Sequence, residues 1–397
     1  MVEDAVDDLH QFLACQIVSR AEASMSIKPV ETLLLTAMKL LKACDRRDTA
    51  LSAFSPEAVK SILVVSSTAI GDTLLSTPAI RAVRERYLNA RITAHFNVQN
   101  MELFAGNPHI DKVIPYYGGY RKFWRTILAF RKERFDLALI FHGNEPQATP
   151  MAYLGGARFI VKLPNRSQFS FLLSNREKIL GWEDFGHAIE QRLQVAGLAG
   201  CNSSNERMEV VIDPAGDRFV DEFLSARGWD TDVRIIGLQT GASTISRMWF
   251  ADRFIELGKR LVASCPDIRI VLTGSPKEKD YCEAIAAGIG PLALVAAGEI
   301  PLRFMPSLLK RFTSLVTGDT GTMHLAISVG TPVTALFAVA DPRKSGPYYD
   351  LDKHYVIKKE RTCEPCVSKK CTYQKCMEQI TVDEVFVAVW SALNNLK

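Results

Sequence analysis

The hydrophobic rhythm of the chain changes near residue 60. Before that point apolar residues recur at helical spacing: Leu9, Phe12, Leu13 and Ile17, then Leu33, Leu34, Met38 and Leu41 after Pro29. Such spacing puts them on one face of a helix. Residues 52–56 read as a linker. From residue 61 short apolar runs alternate with amphipathic stretches. Runs at 61–65, 91–96, 112–115, 136–141 and 159–163 predict strands, with helices at about 77–87 and 121–134. A second series of strands is predicted at 235–239, 268–273, 292–295, 315–317 and 333–337, again with helices between them. Strands and helices alternating in this way imply parallel βαβ units. The polar stretches 201–207 and 213–217 read as loops that divide the two series. The expected organisation is therefore an α/β chain with a helical extension over 1–60 and two Rossmann-like, doubly wound domains at 61–205 and 206–358. A tail at 359–397 carries four cysteines and a closing helix from about 382.

The candidate chemistry lies where these strands end. After the 315–317 run, Asp319, Thr320, Gly321, Thr322 and His324 occupy a Gly-rich turn that opens a helix. Free N–H groups and the helix dipole make such a turn a natural anion site, and open α/β sheets bind ligands outside the carboxyl ends of their strands. The competing reading is a tight turn with a side-chain cap. Asp-Thr-Gly also occurs in aspartic proteases, but these need two carboxylates sharing a proton, and this chain has no second Asp-Thr-Gly. The first domain opens in the same way, with Gly71 and Asp72 after the 61–65 strand. Asp72 reads equally as a helix N-cap and as a general base for a hydroxyl. In the second domain Gly241 and Ser243 let backbone amides approach a phosphate, and Arg247 offers a bidentate partner for its oxygens. Glu278, in the loop after the 268–273 strand, suits the hydroxyls of a ribose or else is a surface carboxylate.

Composition narrows the function classes. With 397 residues the chain can bury two full cores. A net charge of +4 is too small to argue for nucleic acid, but it suits an anionic small substrate or an anionic membrane surface. The acidic start lacks the features of a signal peptide, and no apolar run has transmembrane length. Cys15, Cys44, Cys201, Cys265 and Cys282 are scattered, as expected in a reducing cytosol. Cys363, Cys366, Cys371 and Cys376 are clustered with C-x2-C-x4-C-x4-C spacing. They read as a structural zinc or iron site, as free or disulfide-linked thiols, or, for the first pair, as a redox couple. Arg121, Lys122, Arg125, Arg131, Lys132 and Arg134 form either a solvated helix face or a contact for acceptor phosphates or anionic lipid. His142 and Asn144, past the 136–141 strand, are candidates for touching an acceptor.

Taken together these loops resemble one family. The segment Ala69-Ile-Gly-Asp-Thr-Leu-Leu-Ser-Thr-Pro-Ala-Ile-Arg81 is similar to the opening motif of the ADP-heptose:lipopolysaccharide heptosyltransferases, glycosyltransferase family 9. Gly241-Ala-Ser243 with Arg247-Met-Trp249 resembles their second motif, and Gly318-Asp-Thr-Gly-Thr-Met-His324 with Gly330-Thr-Pro332 resembles their donor motif. The resemblance spans about 61–390. It implies a GT-B fold, with two domains facing a cleft, and an inverting transferase that needs no catalytic metal or other cofactor. Asp72 would be the base, and Arg247 would stand where a phosphate-binding Lys is usual. Glu278 would meet the ribose, Asp319 the heptose, and Thr320, Gly321, Thr322 and His324 the diphosphate. The implied partners are an ADP-sugar donor and a lipopolysaccharide-type acceptor, handled in the cytoplasm with peripheral contact to the inner membrane. Transfer of another nucleotide-activated sugar, transfer to a protein hydroxyl and non-catalytic sugar-nucleotide binding are the alternatives. In relatives the closing helix packs back across the first domain. Departures from the pattern are Arg247 itself, Phe250 in place of the usual Pro, and the helical N-terminal extension.

Overall fold

The computed structural model describes residues 28–143, 146–229, 233–364, 366 and 371–394. The helix expected around Leu9–Ile17 lies outside the described residues. The described chain forms two compact units that divide between Val211 and Ile212.

The first unit holds a five-stranded parallel sheet in the order β3-β2-β1-β4-β5. Its strands are β1 (Ser61–Ser66), β2 (Arg91–Asn97), β3 (Lys112–Tyr116), β4 (Leu137–His142) and β5 (Phe159–Lys162). Ile62, Leu63, Val64 and Val65 are at most 1% exposed. Such continuous apolar strands are what a parallel sheet covered on both faces requires. Each side chain of this size contributes roughly 1.5–3 kcal/mol on burial. The chain runs from β1 outward to β2 and β3, then crosses back to β4 and β5. Strand order therefore reverses between β1 and β4, where such sheets bind ligands. The helix Lys28–Cys44 belongs to this unit. Met38 enters the core with Phe123, Ile127 and Phe130, and Leu34 and Leu35 pack against it. His95 of β2 is wholly buried beside Tyr116 and Phe130. Its Nδ1 lies 2.8 Å from the Ile114 carbonyl oxygen, and its Nε2 has no hydrogen-bond partner among the described residues.

The second unit repeats the plan with six parallel strands, ordered β11-β10-β9-β6-β7-β8. These are β6 (Arg234–Gln239), β7 (Ile268–Thr273), β8 (Ala293–Val295), β9 (Phe312–Gly318), β10 (Val333–Phe337) and β11 (Tyr355–Lys358). Here the order reverses between β6 and β9. Two elements depart from the sequence expectation. Residues 213–217 are not a loop: the Asp213 side chain accepts the Ala215 N–H at 2.8 Å and starts a helix, Pro214–Ser225, with Pro at its first position. The half-buried edge strand β11 was not anticipated. The closing helix, Val382–Asn394, is built into this unit. Val385, Val389 and Leu393 share a core with Trp249 and Phe254, and the Trp249 indole N–H donates to the Ile380 carbonyl at 3.0 Å.

Candidate active site

In the first unit β1 ends at Ser66, and a short turn leads into the helix Ile70–Leu74. Asp72 sits inside that helix, whose N-cap residue is Ala69. Its carboxylate is held from two sides and stays 29% exposed. The Thr68 hydroxyl donates to Oδ2 at 2.7 Å. Arg192 Nη2, from the helix Ala188–Gly197, donates to Oδ1 at 3.2 Å. At the end of β4, His142 brings Nδ1 to 2.7 Å from the Thr68 hydroxyl and Nε2 to 3.7 Å from Asp72 Oδ1. Thr68 has one hydrogen, given to Asp72, so His142 Nδ1 must be the donor in that contact. Burial alone would raise the pKa of Asp72. The charges of His142 and Arg192 and the Thr68 hydrogen bond outweigh it and hold the carboxyl below its usual range. Asp72 and His142 thus close the β1–β4 switch point with an ionised, partly exposed carboxylate. This arrangement suits proton abstraction from a hydroxyl.

In the second unit the corresponding residues cluster at the carboxyl ends of β6, β7 and β9. Gln239, at the end of β6, accepts from the Thr273 hydroxyl at 2.9 Å and donates to the Gly241 carbonyl at 3.1 Å, fixing the loop. Gly241 is buried under Glu278, whose Oε1 lies only 1.7 Å from where a Cβ on residue 241 would stand. Ser275 N–H donates to Glu278 Oε2 at 2.6 Å. Ser243 is exposed on the same loop. Arg247 crosses to the β9 side, with Nη1 3.2 Å from Asp319 Oδ2. Its carbonyl oxygen comes within 2.7 Å of a Cβ position on Gly318, so only glycine fits there without a shift. Thr320 is the N-cap of the helix Gly321–Ser328, its hydroxyl accepting from Met323 N–H at 3.4 Å. The first-turn N–H groups of Gly321 and Thr322 have no intrahelical acceptor by helix geometry. His324 is buried on that helix. The loops after β6, β7 and β9 therefore carry a cation, two carboxylates and a helix N-terminus, an arrangement fit to hold a diphosphate and sugar hydroxyls.

The comparisons with known proteins agree. A family model for glycosyltransferase family 9 (heptosyltransferase) matches residues 123–377, more than half of the chain. The chain belongs to this family. Lipopolysaccharide core heptosyltransferase OpsX of Haemophilus influenzae is 23% identical over 304 residues, 75% of this chain and 84% of that protein. Lipopolysaccharide heptosyltransferase 1 of Pseudomonas aeruginosa is 24% identical over 330 residues, 79% and 88% of the two chains. The solved structure of E. coli ADP-heptose lps heptosyltransferase II superposes with a TM-score of 0.70 at 21% identity, covering 85% of this chain and 99% of that one. The α/β fold of GT-B transferases read from the sequence is thus the fold of the molecule, and the molecule is a glycosyltransferase.

Within this family 9 enzyme some expected residues are not gathered. Asn144 lies outside the described residues. Arg121 and Arg125 are exposed around the start of the helix Phe123–Glu133. The zinc or iron centre expected at Cys363, Cys366, Cys371 and Cys376 is not formed. Among the described residues no three His, Cys, Asp or Glu side chains meet as a ligand group. Cys376 is buried in the second core and accepts from Thr362 N–H at 3.4 Å, whereas Cys363 is exposed and Cys371 points its thiol at the Tyr373 carbonyl. The Cys363 and Cys376 thiols both lie near the Thr362 hydroxyl, at 3.7 and 3.4 Å. No helix is long and apolar enough to cross a membrane among the described residues. Sequence reading missed Arg192, Thr68 and Gln239. Only Thr68, four residues before Asp72 on the same turn, carried a local signal.

Proposed function

We propose that this enzyme is an inverting heptosyltransferase that moves heptose from ADP-heptose to a hydroxyl of a lipopolysaccharide inner-core acceptor. The observation that carries the reading is Asp72, ionised and open at the β1–β4 switch point. The names of the H. influenzae, P. aeruginosa and E. coli relatives supply the heptose and the lipopolysaccharide, and that of the E. coli enzyme the ADP-heptose. Asp72 removes the proton of the acceptor hydroxyl as its oxygen bonds to the anomeric carbon. The bond from that carbon to the diphosphate oxygen breaks on the opposite face, and its electron pair leaves with ADP. Arg247 and the first-turn N–H groups at Gly321 and Thr322 stabilise the charge that grows on the diphosphate. Glu278 takes the ribose hydroxyls and Asp319 the heptose hydroxyls. Ser243 and His324 line the diphosphate side. Arg121, Arg125, His142 and Asn144 contribute to the acceptor side, where the basic helix face also suits phosphorylated lipid at the inner membrane.

The test is ADP release from ADP-heptose with a heptose-free core acceptor, comparing wild type with Asp72→Asn. A general base contributes about 10²–10⁴ in rate, so turnover should fall at least a hundredfold while ADP affinity by calorimetry is unchanged. Turnover within threefold of wild type would remove Asp72 as the base. Equal affinity for UDP and ADP would remove the adenine assignment, and nucleotide binding without any release would leave a sugar-nucleotide-binding protein.

A further inference from the structure

We infer that Arg192 is a positioning residue for Asp72: its buried guanidinium, fixed on three sides, fastens one carboxylate oxygen and leaves the other lone pairs open to the acceptor. This rests on the reading of Asp72 as the base.

Arg192 is 1% exposed. Its Nε donates to Ser76 Oγ at 3.0 Å, and Nη1 donates to the Ala188 carbonyl at 2.8 Å and to Gln191 Oε1 at 3.3 Å. Ser76 in turn donates to the backbone carbonyl of Asp72 at 2.8 Å, so one residue ties both the Arg192 fork and the Asp72 turn. With its other nitrogens committed, the planar fork can present Nη2 to Asp72 Oδ1 in one orientation only. The opposite oxygen is fixed by Thr68, whose own carbonyl accepts from Asn100 Nδ2 at 3.1 Å. A carboxylate with one donor on each oxygen cannot spin about its last bond.

Burying a cation is weak evidence of a stability role, because an apolar side chain of similar volume would fill the space without the desolvation cost. A lysine would deliver charge, but not the fork that reads Ser76, Ala188 and Asp72 together. Burial pulls Arg192 below its ordinary value and Asp72 pulls it back. Arginine starts so high that it remains a cation. The ionisable groups facing Asp72 among the described residues are Arg192 from the helix Ala188–Gly197 and His142 from β4. Arg192 is the one of these two that is buried and fixed by hydrogen bonds to Ser76, Ala188 and Gln191.

The experiment compares Arg192→Met, Arg192→Lys and Ser76→Ala in the full chain. It measures kcat and donor KM against pH, and the ¹³C titration of the Asp72 carboxyl, assigned by its loss in Asp72→Asn. Arg192→Met should lower kcat about tenfold or more with donor KM unchanged. It should also move the acid limb and the ¹³C midpoint up by about one pH unit or more, as expected on losing an adjacent cation. Arg192→Lys should bring both midpoints back towards wild type but restore kcat only in part. Ser76→Ala should lower kcat with the midpoints in place, and it tests the anchoring if the Met variant does not fold. An unmoved ¹³C midpoint in folded Arg192→Met overturns the inference whatever the turnover. So does wild-type kcat in both Arg192→Lys and Ser76→Ala. A moved midpoint with wild-type turnover in folded Arg192→Met also overturns it, whereas near-wild-type turnover in Asp72→Asn defeats the base reading instead.

Discussion

Adding one methyl group at Gly241 and at Gly318 should have different effects, because the atoms that a Cβ meets differ in kind. At Gly241 the new carbon would lie 1.7 Å from Glu278 Oε1 and 2.3 Å from its Cδ, against 3.4 Å for ordinary contact. The carboxylate must retreat by about 1.7 Å, which a flexible side chain can do. It then loses the Ser275 N–H bond of 2.6 Å and the position proposed for it beside the donor ribose. Hydrogen bonds to a charged group contribute about 1.5–3 kcal/mol each. Gly241→Ala should therefore weaken ADP binding about tenfold to a hundredfold while shifting the melting temperature little. At Gly318 the Cβ would meet the backbone oxygen of Arg247 at 2.7 Å. Backbone cannot swing aside, so β9 and the Arg247 turn must separate. Overpacking of this kind costs about 1–3 kcal/mol. Gly318→Ala should lower both the melting temperature and ADP affinity, the latter because the Arg247–Asp319 pair of 3.2 Å is displaced. Calorimetry with ADP and thermal unfolding of the two variants decide it. If Gly241→Ala binds ADP as wild type does, Glu278 is not a donor ligand. If Gly318→Ala melts and binds as wild type does, the close approach of β9 to Arg247 carries no energy.

Two further outcomes follow from buried titratable groups. His95 is fully buried and its pKa is lowered from 6.5 to about 4 by burial, opposed by the Ile114 carbonyl. Between those values the unfolded chain binds the extra proton, so stability falls as pH drops from about 6.5 towards 4, by roughly 3 kcal/mol at 1.36 per pH unit. Urea unfolding of His95→Leu should show that much less loss between pH 7 and pH 4, and parallel curves for the two proteins would refute the assignment. The Cys201 and Cys282 thiols are buried and pushed up to about 12. In the native protein they should resist a thiol reagent, while exposed Cys363 reacts freely. Stoichiometric zinc or iron with protection of Cys363, Cys366, Cys371 and Cys376 would reinstate a metal centre.

What the sequence disclosed was mostly local. Buried parallel strands such as β1 and β9 carry apolar runs that lead into glycine-containing turns, so both they and the loops after them could be read directly. Asp72, Glu278 and Asp319 stood out as candidates for the same reason, each lying within six residues of a strand end, and Arg247 lies eight residues past β6. The edge strand β11 was missed because it is short, only half buried and flanked by charged residues. The first turn of the helix Pro214–Ser225, within 213–217, was misread as loop although Asp213–Pro214 carries a capping signal, because Asp213, Pro214, Gly216 and Asp217 are residue types frequent in turns. Arg192 could not be found. It is 120 residues from Asp72 in sequence, and an arginine on an amphipathic helix looks like solvated surface until packing turns it inward. The four cysteines have ligand spacing in sequence, but no three of them meet as a ligand group among the described residues.

Placing the closing helix inside the second core has a consequence for biosynthesis. The Trp249 indole waits for the Ile380 carbonyl, 131 residues later in the chain. At about 5–20 residues per second on the ribosome, the interval between the emergence of those partners is on the order of ten seconds. Through it the first unit already owns every residue of its sheet, whereas the second exposes the apolar surface that Met377, Ile380, Val385 and Val389 will cover. The nascent enzyme therefore passes through a stage with one finished half and one open half. A premature stop shortly before residue 376 would freeze it there, with an unfinished second unit presented to chaperones and proteases.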